Sequence, residues 1–155
     1  MEEVIKQVHK LFITRGKTIA TAESCTGGLL SKLLTDIPGS SLYFILGLVT
    51  YSNSAKEQLL GIPHNVIAKY GAVSKEVASL MASKVKRIAK TDFGIGITGI
   101  AGPSGKTITL KKGTVFICVD SKNKRICKKF IFRGSRITVR NKAALKAAGL
   151  LKKLL

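Results

Sequence analysis

The sequence has no tryptophan, three prolines and only eight acidic residues among its 155 residues. Because the sequence has 27 lysines and arginines and so few acids, the formal net charge is +19. No apolar run approaches the roughly 18 to 20 residues of a membrane-spanning helix. The first residues, MEEVIKQVHK, carry acids where a signal peptide is basic. These features predict a cytoplasmic protein with no membrane partner.

Cysteine and histidine are also scarce. Cys25, Cys118 and Cys127 form no metal-ligand spacing, and His9 and His64 are the two histidines beside them. We therefore expect neither a metal site nor a cofactor that needs one. The odd number of cysteines argues against a disulfide framework.

The length fits one domain over residues 1–155, and 45% hydrophobic residues are enough for a sizeable core. Hydrophobic periodicity predicts helices at 2–15, 26–35, 54–60, 75–90 and 135–155, with a helical turn at 65–69. It predicts strands at 17–22, 42–51, 93–98, 113–119 and 128–132, the last two as an antiparallel hairpin. The uncharged run 42–51 is typical of a buried strand. The pattern predicts a single three-layer α/β/α domain with a mixed sheet.

The chain is organised around residues 18–32, TIATAESCTGGLLSK, where a strand gives way to a helix. Such a junction offers unpaired backbone N–H groups and the positive end of a helix dipole. It also offers Ser24, Cys25 and Thr26 as candidate nucleophiles, followed by Gly27 and Gly28. The alternative is that the hydroxyl residues only cap the helix and that the glycines only form a tight turn.

Two further loops follow predicted strands. Residues 51–56, YSNSAK, form a second strand-to-helix turn, and residues 99–105, GIAGPSG, form a glycine-rich loop. Open α/β sheets bind ligands where such strand ends meet, so we expect a shared crevice. The glycine-rich loop lacks the phosphate-loop pattern, so an ATP site is only weakly supported.

The positive charge is concentrated in residues 104–155, which carry 15 lysines or arginines against Asp120 alone. Such a field attracts polyanions, so nucleic-acid binding without sequence preference is one hypothesis. We favour the alternative, a solvated lysine-rich surface, because the segment has no interleaved aromatic residues and no known nucleic-acid-binding motif.

Four segments in order, AESCTGG (22–28), VTYSNSAK (49–56), GAVS (71–74) and ITGIAGP (97–103), closely resemble the CinA C-terminal domain. This is the family of nicotinamide-nucleotide amidohydrolases called PncC, and the resemblance covers essentially the whole chain. It implies an α/β/α fold and metal-free deamidation of nicotinamide mononucleotide to nicotinate mononucleotide and ammonia, in pyridine-nucleotide salvage. Longer relatives carry an additional N-terminal domain, and Met1 just before the first helix suggests the stand-alone form.

The resemblance implies Ser24 as the nucleophile and Lys56 as its base. No Ser-His-Asp set is credible, because His9 falls in a helix and His64 among turn formers, and a desolvated lysine can serve as the base instead. The alternative for Lys56 is an exposed residue in a first helical turn. Cys25 is the rival nucleophile. Tyr51 and Thr98 end strands and are expected to orient the catalytic pair or the amide.

Substrate binding is assigned to the organising turn, the glycine-rich loop and two arginines. The residues are Cys25, Thr26, Gly27, Gly28, Gly99, Ala101, Gly102, Arg136 and Arg140. Backbone N–H groups of the glycine-containing loops suit a phosphate, and the arginines suit bidentate phosphate contacts.

The sequence departs from the family at Leu46, Lys112 and Ser135, where relatives usually carry a polar residue, a small residue and an acid. These changes concern substrate preference and the phosphate side, and they leave Ser24 and Lys56 in place. We expect a homo-oligomer, as family members often associate. The alternative function is a basic, nucleic-acid-associated accessory protein linked to competence or the DNA damage response.

Overall fold

The structure is a computed structural model that describes residues 2–105 and 107–155, residue 2 by its backbone alone. Met1 and its predicted significance lie outside the described residues. The helices are α1 (Glu2–Arg15), α2 (Leu29–Thr35), α3 (Asn53–Leu60), α4 (His64–Tyr70), α5 (Lys75–Ala89) and α6 (Arg136–Leu154). The strands are β1 (Ile19–Glu23), β2 (Phe44–Val49), β3 (Phe93–Gly99), β4 (Thr114–Ser121) and β5 (Arg125–Ile131). Each predicted helix and strand is present, with ends shifted by at most three residues.

The five strands form one mixed sheet in the order β2-β1-β3-β4-β5. Strands β2, β1 and β3 are parallel, whereas β4 and β5 form the predicted antiparallel hairpin. Glu23, the last residue of β1, is in register with Val49 of β2 and Ile97 of β3. The three parallel strands therefore end at the same edge of the sheet.

Helices cover both faces of the sheet. One core packs α1, α2 and α6 against one face, and α6 contributes Ala143, Ala144, Ala147 and Ala148, all fully buried. The other core packs α3, α4 and α5 against the opposite face through residues such as Val77 and Met81. The predicted three-layer α/β/α fold is confirmed.

Helix α5 lies directly on the backbone of β3. A Cβ atom at Gly94 would collide with the carbonyl oxygen of Ala82, and one at Gly96 with that of Ala78. These two glycines of β3 are therefore needed for the close packing of helix on sheet.

The prediction that 42–51 is a buried strand was wrong. Its central part, β2, lies at the edge of the sheet, and Ile45 and Val49 are 50% and 49% exposed. Residues 40–42 form a short 3₁₀ helix rather than strand. Apolar composition predicts a strand well, but its position within the sheet depends on the order of strands that are distant in sequence.

The second helix begins at Leu29, not at Thr26. Gly27 and Gly28 adopt left-handed backbone angles, with φ values of 59° and 90°, which a right-handed helix does not accommodate. Residues 24–28 are therefore a turn that leads into α2.

The cysteine count was misleading as well. Cys118 and Cys127 lie directly opposite each other in the β4–β5 pair and are joined by a disulfide bond. An odd total does not exclude one pair when two strands place their cysteines in register. Cys25 is free and buried.

None of the described helices combines the length and the apolar character that crossing a membrane requires.

Candidate active site

A cavity of about 220 Å³ opens at the edge where the parallel strands end. Its walls come from the turn after β1, the residue Tyr51 before α3 and the first turns of α3, the loop before α5, the end of β3 with the loop that follows it, and the first residue of α6. The lining residues are Ser24, Cys25, Tyr51, Asn53, Lys56, Ala72, Val73, Thr98, Gly99, Ile100, Ala101, Gly102, Ser104, Gly105 and Arg136. The expected crevice between strand ends is present.

Ser24 is the first residue after β1. Its backbone N–H donates to the carbonyl of Ile97 at 2.9 Å, which holds it against the adjacent strand β3. Its side chain faces the cavity and is mostly buried, with the residue 8% exposed. Ser24 Oγ lies 3.2 Å from Lys56 Nζ and donates to the carbonyl of Tyr51 at 3.4 Å. The structure thus brings together the serine and the lysine that the sequence singled out 32 residues apart.

Lys56 is only 1% exposed, so the alternative of a solvated surface lysine is excluded. It lies in the first turns of α3, whose start is fixed by Ser52 Oγ accepting from the N–H of Ala55 at 3.0 Å. Lys56 Nζ also donates to the carbonyls of Thr50 at 2.9 Å and Tyr51 at 3.3 Å. Three oxygen contacts therefore fix the amine beside Ser24.

Lys56 has no carboxylate counter-ion among the described side chains. Across the side chains of residues 3–105 and 107–155, no carboxylate oxygen lies within 4.0 Å of its Nζ. Burial lowers the pKa of Lys56 below its ordinary value, because removal from water penalises the charged form. Burial therefore makes the neutral amine, the form that can accept a proton, more accessible than it is in a free lysine.

Cys25 is poorly suited to be the nucleophile. The residue is 5% exposed, and burial raises the pKa of its thiol to about 12. At neutral pH the thiol is therefore protonated, and the thiolate is the reactive form. A backbone hydrogen bond and the positive charges of Lys56 and Arg140 lower this pKa, but they do not offset the desolvation.

Tyr51 and Thr98 both line the cavity, in different ways. Tyr51 is 55% exposed, and its phenolic oxygen accepts from Arg136 Nη2 at 2.6 Å. Thr98 is buried, and its hydroxyl donates to the carbonyl of Ala72 at 2.8 Å. Thr98 therefore fixes the loop before α5, while Tyr51 and Arg136 form one rim of the cavity.

Glu23 is a functional neighbour that the sequence analysis did not single out. Its fully buried carboxylate accepts from the N–H groups of Gly28 and Leu30, both at 3.1 Å, and of Ser31 at 2.8 Å. The start of α2 is therefore capped by an acid of the protein itself. An acid directly before a turn at a helix start is the signal that could have identified it.

Four predicted substrate-binding residues, Thr26, Gly27, Gly28 and Arg140, are not in the cavity lining. The first three form the turn after β1, and Arg140 of α6 binds that turn. The N–H of Gly27 donates to the carbonyl of Ser24, and that of Gly28 to Glu23. The carbonyl of Thr26 accepts from Arg140 Nη2 at 2.8 Å and Nε at 3.3 Å. These internal partners weigh against a phosphate contact through Gly27 and Gly28, and the substrate contacts of Thr26 and Arg140 stay predictions.

The other predicted binding residues do line the cavity. In the described part of the chain, the backbone N–H groups of Ala101 and Gly102 have no hydrogen-bond acceptor. Gly102 also lies against Arg136, since a Cβ atom there would be 3.1 Å from Arg136 Nη1. Two residues with backbone N–H groups available for hydrogen bonding thus line the cavity next to Arg136.

The CinA C-terminal domain family matches the chain over residues 1–155. The chain belongs to this family. It is 44% identical over 148 residues to a CinA-like protein of Geobacter sulfurreducens and 46% identical over 149 residues to one of Syntrophus aciditrophicus. Each match covers 96% of this chain and 36% of the relative, so the chain spans little more than a third of these CinA-like proteins.

Solved structures of the family superpose closely on this CinA domain. The competence damage-inducible protein A of Klebsiella pneumoniae aligns with a TM-score of 0.95 at 32% identity, over 98% of this chain and 94% of that one. A competence/damage inducible protein of Agrobacterium tumefaciens aligns with a TM-score of 0.96 at 33% identity, over 99% and 94%. The arrangement of helices and sheet is therefore that of the family.

The three departures from the family pattern have clear positions in this CinA domain. Ser135 accepts from the N–H of Thr138 at 3.2 Å and caps α6. Leu46 packs against the core beneath α5, and Lys112 is exposed. None of the three lines the cavity.

The sequence analysis missed Asn53 and Ser104 as cavity residues. Both lie in loops or first helical turns rich in serine and glycine, where composition does not distinguish a lining residue from a solvated one. In the described residues, no group of three or more histidine, cysteine or acidic side chains is placed to hold a metal ion.

Proposed function

We propose that this CinA domain is an amidohydrolase that converts nicotinamide mononucleotide to nicotinate mononucleotide and ammonia, with Ser24 as nucleophile and Lys56 as general base. The observation that carries the proposal is the 3.2 Å contact between Ser24 Oγ and the buried Lys56 Nζ, which lacks a carboxylate partner among the described residues. Burying an unpaired lysine costs stability, so its presence is best explained by its chemistry.

In the first step, Ser24 Oγ attacks the amide carbon and its proton passes to the neutral Lys56 Nζ. The ammonium of Lys56 then gives this proton to the amide nitrogen, which leaves as ammonia. The nicotinoyl group remains on Ser24 as an ester, and Lys56 is neutral again.

In the second step, water attacks the ester carbon while Lys56 Nζ takes a proton from it. The same proton returns to Ser24 Oγ as the ester breaks, which releases nicotinate mononucleotide. The neutral state of Lys56 is therefore required at the start of both steps, in agreement with the lowered pKa of its amine.

The cavity size suggests how the substrate lies. At about 220 Å³ the cavity is smaller than most pockets that enclose a whole ligand, which measure about 300 to 1,000 Å³. We therefore expect the pyridine ring and its amide inside the cavity and the phosphate at the rim. Arg136, which is exposed at that rim beside Tyr51, is the best placed cation for the phosphate.

The N–H groups of Ala101 and Gly102 have two possible acceptors in this reaction. They can hold the oxyanion of the tetrahedral intermediate, or they can bind the substrate phosphate. Both roles use donors that have no acceptor within the described residues.

The decisive experiment measures ammonia and nicotinate mononucleotide released by the purified chain from nicotinamide mononucleotide, with free nicotinamide as the comparison substrate. We expect equal amounts of the two products from the nucleotide and little reaction with nicotinamide, which lacks the ribose phosphate that the rim would bind. A folded protein that releases no ammonia from the nucleotide would contradict the proposal. Cytoplasmic salvage and homo-oligomer formation stay predictions.

A further inference from the structure

The end of the sheet opposite the candidate active site is strongly basic. Strands β1 and β3 begin there, and Ser121, the last residue of β4, pairs with Phe93, the first residue of β3. Helix α5 starts beside the active-site loop, because Thr98 bonds to Ala72, and it ends at this opposite edge near Lys90. The fold thus gathers the end of α5 and the β4–β5 turn on one side.

Two hollows lie at this end, with volumes of about 310 and 540 Å³. We call their cations the basic edge. It comprises Lys17, Lys84, Lys86, Arg87, Lys90, Lys122, Lys124, Arg125 and Lys153. Asp92 and Asp120 are the acids that line the same two hollows, so nine cations face two carboxylates there.

Both acids form ion pairs with cations of the basic edge. Asp92 binds Lys17 at 3.0 Å, and Asp120 binds Lys86 at 2.6 Å and Arg125 at 2.7 Å. The remaining six cations of the basic edge are not in these pairs. Their positive field is therefore directed towards solvent and towards any anion that approaches this end.

A simpler explanation is that these side chains only complement helix dipoles, since cations stabilise helix C-termini. That explanation suits Lys86 and Arg87 in the last turn of α5 and Lys153 at the end of α6. It does not account for Lys122 and Lys124, which lie in the turn of a β-hairpin. The charge therefore exceeds what the helix ends require.

We propose that the basic edge binds the phosphate backbone of a nucleic-acid duplex without reading its base sequence. Repeated phosphates match cations spread over two adjoining hollows, and Ser83, Thr91 and Asn123 add polar side chains beside them. Phe93 is the aromatic residue that lines the hollows and it is only 6% exposed, so this surface has no platform on which single-stranded bases could stack.

An anionic membrane fits the surface less well. Stable membrane binding combines cations with exposed apolar side chains. Phe93 and Leu154 are the apolar residues of the two hollows, and both are buried or partly buried. The composition of the hollows favours a polyanion that stays in water.

Only folding creates this surface. Five of its nine cations, Lys17, Lys84, Lys86, Arg87 and Lys90, precede the basic segment 104–155 that composition alone picks out. The inference does not rest on the amidohydrolase proposal, because the basic edge and the catalytic pair lie at opposite ends of the parallel strands.

The test measures binding of the full chain to a short DNA duplex over a range of salt concentrations. The edge variant carries Arg87→Gln, Lys122→Gln and Lys124→Gln. The matched control variant carries Lys10→Gln, Lys69→Gln and Lys128→Gln, which removes the same charge from exposed sites on α1, α4 and β5 outside the hollows. Circular dichroism establishes that each variant is folded.

We expect wild type to bind duplexes of unrelated sequence equally well, with affinity that falls steeply as salt rises. In the edge variant the slope of log affinity against log salt should shrink by about 0.9 for each phosphate that the variant no longer neutralises, whereas the control should stay near wild type. Equal losses of affinity in both variants would overturn the proposal. So would the absence of duplex binding at physiological salt. Binding to anionic lipid vesicles but not to DNA would also overturn it.

Discussion

Glu23 accepts two hydrogen bonds from Ser31, one from its backbone N–H at 2.8 Å and one from its hydroxyl at 2.6 Å. The same carboxylate caps the start of α2, and it belongs to the last residue of β1, directly before the proposed nucleophile. The turn that contains Ser24 is therefore closed between β1 and α2 by an acid that does not line the cavity.

Glu23→Gln should destabilise the fold. The amide keeps one oxygen acceptor but turns an NH₂ group towards backbone donors, so we expect a loss of about 1 to 3 kcal/mol in the free energy of unfolding. Urea denaturation measures it. Glu57→Gln, at a partly exposed acid that pairs with the exposed His64, is the control and should change stability by less than about 0.5 kcal/mol. Equal stability of the two variants would show that the capping role of Glu23 is unimportant.

Ser24→Ala should lower kcat for nicotinamide mononucleotide by several orders of magnitude, because it removes the hydroxyl that lies 3.2 Å from Lys56 Nζ and that is proposed to form the ester. Cys25→Ala should have a much smaller effect, since the buried thiol stays protonated with its pKa raised to about 12. Steady-state ammonia release compares the two variants once circular dichroism has established their folding. Near-normal turnover in Ser24→Ala would sink the assignment of the nucleophile.

The rate should rise with pH until Lys56 has lost its proton. Burial lowers the pKa of Lys56, so kcat/KM should increase through that lowered value and then level off, below the roughly 10.4 of a free lysine. Lys56→Arg retains a charge but cannot accept a proton, so it should be nearly as inactive as Lys56→Met. Substantial activity in Lys56→Arg would mean that the lysine contributes only positive charge.

Lys56 should also make stability depend on pH. Because its pKa is lower in the folded than in the unfolded protein, the unfolded chain binds more protons between the two values, and stability rises with pH across that window. Below the folded pKa the stability difference between wild type and Lys56→Met should be constant. Urea unfolding of both proteins at increasing pH should show the difference shifting in favour of wild type up to about 10.4. Parallel curves would indicate a lysine with an ordinary pKa.

The two arginines assigned to the phosphate should behave differently. Arg136 lines the cavity, so Arg136→Ala should mainly raise KM for the mononucleotide and change little for nicotinamide riboside, which lacks the phosphate. Arg140 binds the carbonyl of Thr26, so Arg140→Ala should reduce kcat on both substrates by loosening the turn. Kinetics with both substrates distinguish the roles. If Arg140→Ala instead raised KM only for the substrate that carries the phosphate, Arg140 would be the residue that binds the phosphate.

Local patterns were sufficient for the helices and strands of this protein. Periodicity identified α1, α5 and α6 because each has one apolar face, and glycine and serine clusters marked the turns between them. The pairing of Ser24 with Lys56 was expected only because four short segments together resemble a family. Spacing alone does not place two residues 32 positions apart in contact.

What the sequence by itself determined was the set of elements, the three-layer class and the residues capable of the chemistry, since these depend on side-chain type and local periodicity. The tertiary structure decided which of them are buried and which are paired. It placed the uncharged strand β2 at an edge, set Cys118 opposite Cys127 and paired Arg140 with the carbonyl of Thr26. It also buried Lys56 with no carboxylate partner among the described side chains. Burial and pairing arise from contacts between distant segments, and they fix the pKa of a lysine and the partner of an arginine more than the residue type does.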